Sequence, residues 1–170
     1  LFFSCTSNKI DEVLEHSNLE SPPVRSTRDV TYTYTDSARV TNRLHAGQVD
    51  RYETSDSTYS LISGGFELLF YTRSGDFDGR LTAKNGYING DNSKMVARDS
   101  VIFVNKLGET LHTEELTWYQ DSAKVYTDKF VTIERADAVI YGKGLVSDQN
   151  FTDYVIRDVT GTLYLDDNER

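Results

Sequence analysis

At 170 residues the chain has room for one domain and a short tail, and 38 % hydrophobic with 26 % charged residues is the balance of an ordinary soluble globular protein. A formal net charge of −9 makes nucleic acid and a bare anionic membrane poor partners. The one cysteine, Cys5, allows neither an internal disulfide nor a cysteine-based zinc cluster, and no apolar run approaches the roughly 20 residues of a membrane helix.

The amino end runs apolar, then small, then Cys: Leu1-Phe2-Phe3-Ser4-Cys5. This resembles the lipobox of bacterial lipoproteins, where a signal peptidase cuts before a cysteine whose sulfur then carries diacylglycerol. On that reading residues 1–4 are a signal-peptide remnant and Cys5 is the lipid anchor. Residues 5–29 are a lipidated tether, polar from Thr6 to Ser21 and closed by Pro22-Pro23. Ile10, Val13 and Leu14 follow helical spacing within it, which predicts at most one short helical turn, too short to hold alone.

From Val30 the period is two. Val30, Tyr32 and Tyr34 alternate with Thr31, Thr33 and Thr35; Ala38, Val40, Asn42, Leu44 and Ala46 share one parity, as do Phe66, Leu68 and Phe70. Asp36-Ser37, Gly64-Gly65, Ser74-Gly75, Asn85-Gly86, Asn89-Gly90-Asp91-Asn92 and Leu107-Gly108 read as turns. Further strands are expected at 125–127, 130–133, 138–141 and 154–156. Eleven Tyr and eight Phe, with abundant Thr and Val, suit strands as well. The expected class is all-β, with the domain over 30–165 and a tail at 166–170.

A faint repeat runs through these strands. Leu44-His45-Ala46, Leu81-Thr82-Ala83 and Leu111-His112-Thr113 are each followed by an aromatic residue, Tyr52, Tyr87 and Trp118 in turn. Stacked hairpins that each give one large and one small inward side chain to a common lining account for it.

No catalytic constellation emerges. His16 falls in the tether, and parity turns His45 and His112 outward. There is no Gly-x-Ser-x-Gly elbow and no Gly-rich phosphate loop; Gly142-Lys143-Gly144 is expected as a bend in the sheet. Asp76-Phe77-Asp78-Gly79 has too few acids for a calcium loop, and the adjacent Glu114 and Glu115 must point to opposite faces. We therefore expect neither enzyme activity, nor a cofactor, nor a metal.

In collinear order, Asp36-Ser37-Ala38-Arg39-Val40 leading into Leu44-His45-Ala46, Gly79-Arg80-Leu81-Thr82-Ala83, the run from Gly108 to Trp118, that from Val125 to Ile133, Ile140-Tyr141-Gly142-Lys143-Gly144-Leu145 and Ile156-Arg157-Asp158-Val159-Thr160-Gly161 resemble the LptC family of lipopolysaccharide export, in its Bacteroidetes-type lipoprotein branch. Better-known members carry a membrane helix where this chain has Cys5. The resemblance implies a twisted antiparallel β-jellyroll, or β-taco (OstA-like), that binds lipopolysaccharide acyl chains. It implies a periplasmic protein held by its lipid anchor, with the inner membrane the expected location. It further implies an inner-membrane Lpt ABC exporter as donor and a periplasmic LptA-like β-jellyroll as acceptor, docked by edge-strand addition.

A carrier of fatty chains needs an apolar inner face. The candidates for lining it are Val40, Leu44, Ala46, Phe66, Leu68, Phe70, Leu81, Ala83, Leu111, Leu116, Trp118, Val131, Ile133, Ile156 and Val159. Leu111 and Leu116 differ in parity, as do Ile156 and Val159, so a bulge or bend must intervene. The acidic net charge leads us to expect the phosphorylated head to stay in water. A structural or adhesion-type β-sandwich lipoprotein with a closed core is the competing reading.

Overall fold

Alternation of the kind read at residues 30–35 continues through nearly the whole chain. The computed structural model describes residues 22–149 and 151–164, in which ten strands follow one another: β1 (Arg25–Asp36), β2 (Arg39–Glu53), β3 (Thr58–Tyr71), β4 (Phe77–Ala83), β5 (Asn85–Asn89), β6 (Lys94–Asn105), β7 (Thr110–Tyr119), β8 (Lys124–Glu134), β9 (Ala138–Asp148) and β10 (Tyr154–Tyr164). All pair antiparallel in one open sheet of order β1-β2-β3-β4-β6-β7-β8-β9-β10, with β5 between β3 and β6. β4 and β5 act as one strand broken at Lys84, for they pair with the later and the earlier half of β3. The expected all-β class is what the chain adopts.

The long strands are not straight. Register shifts fall between Ala46 and Gln48, Arg98 and Val101, Thr113 and Thr117, and Thr127 and Phe130, at neighbouring points of successive strands. Asp29, Gly64, Gly65, Asp99, Ser100 and Gly144, which lie along the same line, have positive φ. These are bulges, each bending its strand, and together they crease the sheet into two half-sheets. The crease consists of residues that tolerate the conformation or belong in water: glycines, and the exposed Asp29, Lys84, Asp99, Glu114, Asp128 and Lys129. Hydrogen bonds continue across it, from Gly65 N to Lys84 O (3.0 Å) and from Lys84 N to Asp99 O (3.1 Å).

On the inner face side chains line up across the strands. One row runs Tyr32, Leu44, Leu68, Leu81, Phe103, Leu111, Ile133 and Ile140. In the next row, nearer the crease, Phe66 stands between Ala46 and Ala83. The three Leu-x-small units therefore fall in register, their leucines in the first row and Ala46, Ala83 and Thr113 in the second. Small residues beside Phe66 let its ring enter the space between the halves, where the Gly86 backbone leaves room for it. A buried leucine in such a row contributes about 1.5–3 kcal/mol.

Several local expectations need correction. Ala38 belongs to the β1–β2 turn, with φ 62°, and not to the strand that follows. Gly64-Gly65 is a bend inside β3, because the crease and not a reversal demands its positive φ. Asn85-Gly86 opens β5, the break lying one residue earlier. β1 starts at Arg25, inside the segment expected to be tether. Cys5, the helical turn at Ile10 to Leu14, His16 and the tail at 166–170 lie outside the described residues.

At the tip of β6–β9, Asn105 Oδ1 accepts hydrogen bonds from Leu107 N (2.9 Å) and Glu109 N (3.0 Å), while its Nδ2 donates to Glu109 Oε2 (2.8 Å). Arg135 Nε donates to Glu109 Oε1 at 2.8 Å. Burial pushes the Glu109 carboxyl up, but these bonds and the Arg135 charge outweigh it and hold it below the usual carboxylate range. Such a group stabilises the fold above its unfolded pKa, and the contribution fades as pH falls through the depressed folded value. E109Q is expected to lose about 1 kcal/mol at neutral pH, with the gap to the parent closing in acid, as followed by thermal melts across pH. A Cβ at Gly47 would lie 2.6 Å from the Gly64 carbonyl oxygen, so G47A should cost about 1–3 kcal/mol in urea unfolding.

Candidate functional site

Because the halves meet at the crease and diverge from it, their inner faces close at one side and part at the other. Leu44, Ala46, Ala83, Leu111, Val131 and Ile133 pack into a buried core. Beside it lies a cavity of about 1250 Å³, larger than the usual small-molecule site of about 300–1,000 Å³. Phe66, Leu68, Phe70, Leu81 and Phe103 form one wall; Ile62, Ile88, Met95, Leu116 and Trp118 form the other. Its mouth lies between the strand tips of the two halves, among Tyr34, Asp36, Arg39 and Arg73 on one side and Asp91, Asn92 and Gln120 on the other.

The candidates read from the sequence thus divide. Val40, Phe66, Leu68, Phe70, Leu81, Leu116 and Trp118 stand on the cavity wall. Leu44, Ala46, Ala83, Leu111, Val131 and Ile133 belong to the buried core and do not line the cavity. Ile156 packs against that core from the edge strand, so closely over Gly142 that a Cβ there would collide with it. Val159 pairs with Gly142 on the edge strand, is 59 % exposed and does not line the cavity. The differing parities of Leu111 and Leu116 are resolved by the bend between Thr113 and Thr117, which turns both inward on different halves.

Sequence reading missed Phe103, Phe151, Ile62, Ile88 and Met95. Phe151 is the instructive case. It sits in the β9–β10 turn with φ 52°, and is only 7 % exposed. Its ring enters the mouth and stacks on Phe103 at 4.0 Å between centroids, while Phe103 meets Phe70 edge to face at 6.0 Å. No periodicity announces a turn residue that folds back into a cleft. Ile62 and Ile88, by contrast, lie in strands whose alternation was available to read.

Polar groups keep to the rim. Burial, with Tyr32 beside it, raises the Tyr34 phenol above its ordinary value, so it stays neutral. The backbone and side chain of Ser93 hydrogen-bond Asp91 and hold its carboxyl below the usual range, so it stays ionised. His45 is hydrogen-bonded to Thr31 (3.1 Å) and His112 lies 3.6 Å from Glu134, both away from the cavity. Among the described residues no cluster of His, Cys, Asp and Glu large enough to hold a metal is present, and no helix is long and apolar enough to cross a membrane. Chemically the site is an oily hollow with a wet rim, suited to hydrocarbon.

A family model described as "Lipopolysaccharide-assembly, LptC-related" matches residues 3–164. No curated protein matches the chain.

Phe151 contributes to stability as well as to the shape of the mouth. F151A is expected to destabilise by about 3 kcal/mol, to be measured by urea unfolding, and to increase dye uptake by the enlarged opening.

Proposed function

The chain belongs to the LptC-related lipopolysaccharide-assembly family, and from that premise we propose that it is a non-enzymatic bridge component that carries lipopolysaccharide by its acyl chains. Membership gives it a role in lipopolysaccharide transport and association with the cell envelope. The finer reading has three parts. Acyl chains arrive from an inner-membrane ABC exporter, rest in the cavity, and pass to a periplasmic LptA-like β-jellyroll. Residues 1–4 are removed and Cys5 anchors the mature protein in the inner membrane through residues 5–29 as tether. The jellyroll over 30–165, including the β1 residues before it, does the carrying.

The cavity carries this reading. A 14-carbon chain left in water costs on the order of 10 kcal/mol at about 0.8 kcal/mol per methylene, and a wall of Phe66, Leu68, Phe70, Ile88 and Trp118 offers it an apolar refuge. A closed-core structural lipoprotein would have no reason to leave about 1250 Å³ unfilled behind an open mouth. Transfer between two such hollows is nearly neutral in energy, so direction must come from ATP hydrolysed by the exporter.

The two edges of the open sheet support the docking part. β1 and β10 each present unpaired backbone groups, which a partner strand can extend. Val155, Val159 and Leu163 are exposed along β10, apolar surface that an added strand would cover. In this arrangement β1 faces the exporter and β10 the acceptor.

Photo-crosslinkers at Leu68 and Trp118 in living cells should give adducts with lipopolysaccharide, and depletion of the protein should stall lipopolysaccharide in the inner membrane. Absence of adducts at every inward position would return the chain to the closed-core reading. A proline in β10 at Val159 should weaken acceptor binding at least tenfold, about 1.4 kcal/mol, in a pull-down with the purified acceptor; unchanged binding would count against edge addition.

A further inference from the structure

The carrier reading says where hydrocarbon rests and leaves the head of the amphiphile unplaced. Net charge suggests that the head is simply left in water, but net charge averages over a surface that is locally uneven. At the β1–β2 and β3–β4 tips a second hollow of about 680 Å³ is lined by Arg39, Val40, Arg43, Tyr71, Arg73, Ser74 and Gly75. Arg39, Val40, Tyr71 and Arg73 also line the large cavity, so the two hollows adjoin at the rim, and Arg43 reaches the second from the outer face, on which it stands with His45.

Three arginines line it without a carboxylate partner. Arg51, Arg80, Arg98 and Arg135 each pair with a glutamate. Arg39, Arg43 and Arg73 have no such partner among the described residues. Arg39 Nη1 donates to the Arg73 carbonyl oxygen at 3.3 Å, which draws Arg39 towards the β3–β4 turn. Arg43 lies over the Tyr71 ring, 6.0 Å from its centroid, which orients it from below. The nearby acids keep their charge but turn to serine hydroxyls, Asp36 to Ser37 Oγ (3.1 Å) and Asp76 to Ser74 Oγ (2.6 Å), and neither forms an ion pair with these arginines among the described residues. Lys106, on the same rim, is taken up by Asp78 at 3.5 Å.

In a chain of net charge −9, three unneutralised arginines beside one apolar mouth are an arrangement that repulsion among themselves disfavours and an anion would relieve. Arginine's planar fork suits phosphate oxygens, two donors to each group. We infer that Arg39, Arg43 and Arg73 form an anion subsite that takes a phosphate of the amphiphile's head while its chains occupy the adjoining cavity. This inference rests on the acyl-chain reading of that cavity. The site is open and salt-screened, so it orients the load and favours phosphorylated lipids without clamping them. That suits a protein that must also let go.

The single tryptophan, Trp118, stands on the cavity wall and reports entry of chains through its own emission. The test titrates the full chain with lipid A bearing its phosphates, with dephosphorylated lipid A of the same acylation, and with inorganic phosphate as competitor. The parent should prefer the phosphorylated lipid by about tenfold, since exposed charge contacts are individually weak. R39Q/R43Q/R73Q should bind the two lipids alike, the ratio being the readout, and a parent-like urea unfolding midpoint shows that it is folded. R25Q/R28Q/R98Q, an equal change of charge at residues that line neither hollow, should keep the preference.

Equal binding of the two lipids by the parent would overturn the subsite. So would a preference retained by R39Q/R43Q/R73Q, or one lost equally in the control triple. Inorganic phosphate binding as tightly as the phosphorylated lipid would make this a site for free anion and overturn the headgroup assignment. No Trp118 response to either lipid would instead overturn the acyl-chain reading itself, and the subsite with it.

Discussion

Contact between the two inner faces of one creased sheet is the interaction from which the rest of this structure follows. A flat sheet of ten strands would leave its apolar face, with Leu44, Leu68, Leu81, Phe103 and Leu111 in a row, open to water. Bulges placed at the same level of successive strands turn that face upon itself. The crease costs backbone strain, visible as positive φ at Asp29, Asp99 and Ser100 as well as at glycines. Burial of the row offsets that cost.

Stability and carriage then come from one geometry. Close to the crease the halves touch, and Ala46, Ala83 and Thr113 let large neighbours interlock. Elsewhere between them the side chains leave a space, which is the cavity. At the β10 side Phe151 reaches across and stacks on Phe103; at the β1 side no described residue does the same, and the mouth lies there. A strand pattern that merely built a sandwich would have met in the middle throughout.

Charge follows the same division. The chain is acidic as a whole, with a formal net charge of −9. Arg39, Arg43 and Arg73 break that pattern where the apolar mouth reaches solvent. Apolar walls and a rim of mixed charge, with the arginines gathered at the β1–β2 and β3–β4 tips, are the two chemistries that the proposed lipid carriage and headgroup subsite draw on.

Period-two alternation, which depends only on neighbouring residues, determined the all-β class, the outward placement of His45 and His112 and the shared rows of the Leu-x-small units. Turn chemistry was legible at Ser74-Gly75, Asn89 to Asn92 and Leu107-Gly108, because a tight reversal needs its residues adjacent in the chain. Gly64-Gly65 carries the same letters and serves a bend, since whether a positive φ reverses a strand or creases it depends on the strand alongside, here on Gly47. Tertiary structure alone decided which inward residues are core and which are wall. Leu44 and Leu68 face each other in one row, yet Leu68 borders the cavity and Leu44 does not. Parity fixes the face of a sheet on which a side chain stands; whether it meets protein or empty space depends on which strand carries it and on what the opposing half places across from it, and that half arrives from far along the chain.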